Sequence, residues 1–347
     1  PAPPRDPLLV LLKKYSPEAY TLVRRTERML GAIRIGSGYA IMGEGQGTRT
    51  TTINGVTTTT RLTNKGFRKW ISPDESFEKQ FKDIPTAVHE LFHGHTHRTV
   101  PYLLSRHLSD TGPLKVRRGP GSWVLLHFDT LFLDPQTIHY SLTRSAGYFA
   151  PCNRALPASV LTNTVPPERR TFRWKTYVSG SVYQSTLTSG ISGLLDEYAA
   201  YYWSTKVAYD FFGYYRTEQG GTPRAYRDWA NQVVLYYFAW AEFRSWIRQY
   251  MAYAERHHPA LWQSFLADRR LREAFTAVDD RFTVLVTAFF DKLVRELPAL
   301  LAPQGLKVYL SPYRPRPGST GKPDLTYVVN NHSTSLMYYY FLPLREE

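Results

Sequence analysis

Apolar residues at three- and four-residue spacing organise the second half of the chain. Segments near 192–213, 223–256, 259–268 and 271–301 each repeat as a helix does when one face is turned to a core. The first half is mixed. Ser16-Pro17-Glu18 sets a capping side chain, a first-turn proline and an acid at the positive dipole end, which predicts a helix running to Leu30 and stopping near Gly31. Thr48–Ile53 and Val56–Leu62 flank Asn54-Gly55, the preferred pair for a tight hairpin turn, and their threonines suit a solvent-facing ribbon. A helix is predicted over 85–98, then strands at Trp123–Phe128 and Leu131–Leu133. Near the end, Leu306, Val308 and Leu310 alternate as a strand would, and a Pro/Gly stretch at 312–323 separates them from a second strand at Leu325–Val329. The Pro-Ala-Pro-Pro opening reads as an extended arm. The predicted fold class is α+β. Residues 1–167 form a sheet-containing N-terminal lobe with the Thr-rich hairpin and the 85–98 helix, and residues 168–347 form a mainly helical C-terminal lobe.

Composition narrows the function classes. With 347 residues and 43% hydrophobic content, the chain can bury a substantial core, which excludes wholesale disorder. The longest apolar run, Val233–Ala241, is nine residues, far short of the roughly 20 that a membrane span needs. Forty-three Lys and Arg against 29 Asp and Glu give a net charge of +14. That field favours acidic partners, such as an anionic cell-wall or surface polymer, and no nucleic-acid reading module accompanies it. A single cysteine, Cys152, excludes an internal disulfide and a cysteine-based zinc cluster. The chain starts at Pro1, and the expectation is an exported protein, secreted or periplasmic, with its leader removed; an intracellular basic protein is the alternative.

One stretch carries the chemistry. Val88-His89-Glu90-Leu91-Phe92-His93 contains the pattern H-E-x-x-H. On a helix, residues four apart share a face, so both imidazoles can reach one metal ion, while Glu90 sits one step round, where it can act on water. Ala87, Val88, Leu91 and Phe92 make the helix too apolar for two merely solvated histidines. A third ligand is needed, with a fourth position left for water. His97, eight residues after His89, lies about 12 Å further along the helix axis, and His95 points to roughly the opposite side from His93, so both read as cleft-lining or solvated histidines. Glu197 is the better candidate: Leu194 and Tyr201 place it on an apolar helix face, where a carboxylate needs a cation or a strong hydrogen-bond partner. Asp196 beside it looks onto a small-residue face of Ser192, Gly193, Ala199 and Ala200, suited to close helix packing. Glu242 is the rival third ligand, although Arg244 and Arg248 suggest an internal ion pair.

His89-Glu90-x-x-His93 followed by a helical Glu197 resembles the gluzincin, or thermolysin-like, branch of the zincin metallopeptidases. The resemblance implies a zincin-like fold, with the active site in a cleft between the lobes and a sheet-edge strand that holds extended substrate. It implies one Zn2+ per chain on His89, His93 and Glu197, with Glu90 as general base in peptide hydrolysis. The 104 positions from His93 to Glu197 imply a long insertion, and Tyr201 stands where the family often has an acid. Tyr201, Tyr198, Tyr183, His97, His95 and Arg98 are candidate contacts to substrate or transition state. The expected function is therefore a zinc-dependent metallopeptidase acting on a peptide or protein, with a non-catalytic basic protein on the same scaffold as the alternative. Gly43–Gly47 lacks the lysine and spacing of a phosphate loop and reads as a turn or lid, Cys152 as an idle thiol, and Asn331-His332-Ser333 as a bare glycosylation pattern.

Overall fold

A computed structural model describes residues 6–28, 32–35, 38–41, 46–53, 56–63, 66–93, 156–167, 170, 173–179, 185–267, 269–304, 308–312, 324–329 and 332–337. Helix α1 covers Pro7–Tyr15 and α2 covers Pro17–Arg28. Strands β1 (Ala32–Ile35) and β2 (Gly38–Ile41) form one antiparallel pair, and β3 (Gln46–Ile53) and β4 (Val56–Thr63) another. After a 3-10 turn at Phe67–Trp70, residues 77–93 form α3. A 3-10 segment at Ala158–Asn163 and a one-turn helix α4 at Trp174–Tyr177 precede α5, Ser185–Asp210. Then follow α6 (Phe212–Thr217), α7 (Pro223–Tyr237), α8 (Ala239–His257), α9 (Pro259–Ala267) and α10 (Arg269–Asp291). A π-helical turn at Lys292–Glu296 leads into α11, Leu297–Leu301. Strands β5 (Val308–Pro312), β6 (Asp324–Val329) and β7 (His332–Met337) close the chain as an antiparallel sheet in that order.

The fold is mainly helical, which corrects the expected α+β, zincin-like architecture with a sheet-containing lobe. The core side chains whose burial is described lie on helices, helical turns and connecting loops. The strands of residues 32–63 make two separate two-stranded sheets instead of one layer. A hairpin alone has no second layer on which to bury a face, so it cannot organise a lobe. The core is one cluster extending from Leu8 to Leu301, and it draws on both halves of the chain.

Helix α5 is its axis. Leu194 to Ala200 are all buried, and Tyr202 to Thr205, Val207 and Ala208 continue the burial. A helix buried on every side needs helices all round it, and α7, α8, α10 and the 158–163 segment pack against α5. The α3 helix covers another side and runs antiparallel to it. Phe81 stacks against Tyr214 and Phe211, His89 meets Tyr201, Phe92 lies near Trp203, and His93 reaches Asp196. Two cross-links fix the angle from the α7 side: Gln232 donates to the Lys82 carbonyl, and the hydroxyls of Thr86 and Tyr236 lie 2.9 Å apart.

Several local expectations hold. The α2 helix begins after Ser16, but the Ser16 hydroxyl donates to Asp210 at 2.5 Å, tying the α1–α2 corner to the end of α5. The α1 helix, unmarked by the Pro-rich opening, is capped by the Asp6 carboxylate, which accepts from Leu8 N and pairs with Arg68. The Thr-rich hairpin forms in the expected register, with Ile53 opposite Val56 and Thr52 opposite Thr57. Both tail strands are present, β7 adds a third, and the expected 223–256 helix divides at Phe238. The expected strands at 123–133, Cys152, the glycosylation pattern's Asn331 and the middle of the Gly43–Gly47 turn lie outside the described residues.

Gly190 sets the entry of α5. Its φ of 54° and ψ of −130° kink the helix, and a Cβ there would stand 2.5 Å from the Leu156 carbonyl and 2.6 Å from the Tyr250 hydroxyl. Gly190→Ala is therefore expected to destabilise the fold by at least about 2 kcal/mol, since it adds a left-handed backbone penalty to a clash with main chain. A urea melt followed by circular dichroism reads this directly, and an unchanged midpoint would refute it.

Candidate metal centre

Helix α3 brings His89 and His93 to one side, as their four-residue spacing requires, and α5 brings Glu197 to meet them. Three atoms converge. His89 Nε2 and His93 Nε2 are 3.2 Å apart, and Glu197 Oε2 lies 3.4 Å from the first and 3.5 Å from the second. A tetrahedral zinc with bonds of about 2.0–2.1 Å separates its ligand atoms by about 3.3–3.4 Å, because a tetrahedron's edge is about 1.63 times its centre-to-vertex distance. The three observed edges scatter closely around that length.

The chemistry of the donors agrees. Asp196 Oδ2 accepts from His93 Nδ1 at 2.9 Å, which places the proton on Nδ1 and turns the Nε2 lone pair towards the other two groups. Glu197 Oε2 is buried, and at 3.4–3.5 Å from the imidazoles it makes no hydrogen bond of good length. Acceptor atoms aimed at one point repel unless a cation lies between them. Burial alone would lower the His93 pKa, but Glu197 and then Asp196 override it and hold the imidazole well above the usual histidine range. Burial alone would raise Glu197, but His93 and His89 hold its carboxyl down at about 2. Metal-free, the cluster keeps its positive charge as a proton; a divalent ion bound there replaces it, so uptake releases acid.

Glu90 follows His89 on α3, about 100° round the helix and off the ligand face, and is half-buried. Tyr201 borders the site: its ring stands edge-on to His89 with centroids 4.7 Å apart, and its hydroxyl is 3.0 Å from that of Tyr177. Burial, then Glu197 and Tyr201, push the Tyr177 hydroxyl upward, so it stays a protonated donor. Beneath Tyr201 the Arg173 guanidinium lies 4.7 Å from the ring centroid and donates to Glu242 at 2.6 Å and to the Leu235 carbonyl.

This arrangement settles two candidates. Glu242 is spent in a buried ion pair away from the triangle, and its partner is Arg173, not Arg244 or Arg248 as its sequence neighbours suggest. Arg244 instead pairs with Asp279. Tyr198 is fully buried on another face of α5 and donates to Asp279 Oδ1 at 2.7 Å, so it is a core hydroxyl and not a substrate contact. Tyr183, His95, His97 and Arg98 lie outside the described residues.

Sequence reasoning missed Tyr177, Arg173 and the role of Asp196. Neither Tyr177 nor Arg173 belongs to a motif. Asp196 did carry a signal, a carboxylate set among small residues, and its partner in the structure is His93. Against models of known protein families, characterised proteins and solved structures, the chain shows no match. Among the described residues no helix is long and apolar enough to cross a membrane.

Asp196→Asn should keep one metal ion per chain at saturation but weaken its affinity by about 10- to 100-fold, the effect expected when a histidine loses its orienting carboxylate. His93→Ala should remove stoichiometric binding. Calorimetric titration of the chelator-treated protein with zinc measures both, and wild-type proton release should appear as a dependence on buffer ionisation enthalpy.

Proposed function

We propose that the protein is a zinc-dependent hydrolase, with peptide bonds as its substrate class, in which His89, His93 and Glu197 hold the metal and Glu90 is the general base. The observation that carries this reading is the triangle of 3.2, 3.4 and 3.5 Å edges formed by two imidazoles and one buried carboxylate. Such a three-ligand set leaves a fourth position for water, whereas structural zinc sites are closed by four protein ligands. Zinc in this setting supplies a Lewis acid that lowers the pKa of water to about 7 and polarises a carbonyl.

The chain's own residues do the rest. Glu90, next to His89 in sequence but turned from the ligand face, would take a proton from attacking water and return it to the leaving amine. Asp196 keeps the His93 lone pair directed inward throughout. The Tyr177 and Tyr201 hydroxyls form a hydrogen-bonded pair on the side of the site bordered by His89. A protonated hydroxyl there suits the negative charge that develops on a carbonyl oxygen. The reading rests on the ligand set and not on a zincin fold, since the same chemistry can be carried by unrelated frames.

Glu90→Gln is expected to bind zinc as the wild type does while losing about 10²- to 10⁴-fold in turnover of a fluorogenic peptide library. Hydrolysis at wild-type rate with zinc retained would eliminate Glu90 as base. Stoichiometric zinc with no cleavage of any library member by the wild type would point instead to a non-catalytic metal protein.

A further inference from the structure

A cavity of about 470 Å³ lies between α5, α8, α9 and α10. Leu195 is in its lining, and Leu195 and Glu197 project about 200° apart round α5, so the cavity and the metal triangle occupy opposite faces of that helix. The cavity is built in two layers. Leu195, Ile247 and Leu271 form a buried floor, with Met251, Trp262 and Phe275 half-buried above it. The charged lining residues are all exposed at the rim: Arg248 and Glu255 from α8, and Arg272 from α10, which also donates to the Leu266 carbonyl.

This layering selects a ligand with two parts. The floor offers no charged group, so it suits hydrocarbon, and the volume falls in the range of small-molecule sites, about 300–1,000 Å³. The rim carries two guanidinium groups against one carboxylate, within a chain of net charge +14. A cationic head group would be repelled there, and a neutral apolar molecule would leave both guanidiniums unused. We propose that this cavity binds a single-chain anionic amphiphile of the fatty-acid type, its tail over Leu195 and Ile247 and its carboxylate between Arg248 and Arg272. The site does not depend on the metal reading, since none of its lining residues belongs to the triangle.

Laurate and dodecyltrimethylammonium share a tail length and differ in head charge. Titrated calorimetrically into the full chain below their micelle concentrations, laurate should bind once per chain and at least about tenfold tighter than the cation, a margin that two rim charges can supply. Treatment with chelator should leave that binding unchanged. Ala252, a small lining residue, gives the plug: Ala252→Trp should cost laurate at least about tenfold by filling the cavity. The double variant Arg248→Glu with Arg272→Glu, at exposed positions, should reverse the preference, and it decides the matter alone should the plugged variant fail to fold. Equal affinity for the two amphiphiles, or laurate binding unchanged by both variants, would overturn the proposal.

Discussion

Two adjacent carboxylates on α5, the central helix of the described core, Asp196 and Glu197, set the terms for everything around them. A buried charge is costly unless it is paired and hydrogen-bonded, and α5 buries two within a single step. The two side chains diverge by about 100°, and α3 answers both through one histidine pair. His93 gives Asp196 its Nδ1 hydrogen and presents Nε2 to Glu197, while His89 presents Nε2 to the same oxygen. The docking of α3 and the aromatic contacts at its far end through Phe81 serve one geometry. Glu242 shows the other way of solving the same problem, a buried guanidinium, with Arg173 donating to its Oε2.

Much of the site was legible because its information is local. His89 and His93 follow from a helical period, and Glu197 from the mismatch between a charged side chain and the apolar face it shares with Leu194 and Tyr201. What stayed hidden is long-range. Arg173 sits on a single helical turn, in a stretch with no periodic pattern, and nothing in its neighbourhood names Glu242 as its partner; Arg244 and Arg248, closer in sequence, drew the pairing wrongly. Tyr198 and Tyr201 are equal by composition, and only the placement of α10 sends one hydroxyl to Asp279 and the other to Tyr177.

At the level of the fold, the Thr-rich hairpin and the two tail strands were read correctly and weighed wrongly. The Asn54-Gly55 hairpin, β5 and β6 form where alternation and turn residues place them, because pairing across a tight turn is decided within a dozen residues. Whether strands join into a layer that carries a lobe depends on what covers them, and no local pattern encodes that. The core instead assembled from amphipathic and fully apolar helices, whose long periodic stretches were the strongest feature of the sequence. A short catalytic-type motif therefore made a poor guide to architecture even where it was a good guide to its own side chains.

The ligand set has a topological side as well. His93 and Glu197 are 104 positions apart, and a metal bridging them would act as a cross-link closing a loop of that length. Such a closure restricts the unfolded chain much as a disulfide would, and its entropic benefit grows with the logarithm of the loop. For a chain with one cysteine, this is a form of covalent-like stapling that needs no oxidising compartment. It would also order assembly: the ion cannot gain its third ligand until α3 has docked on α5, so tight binding would come last and lock a tertiary contact already made.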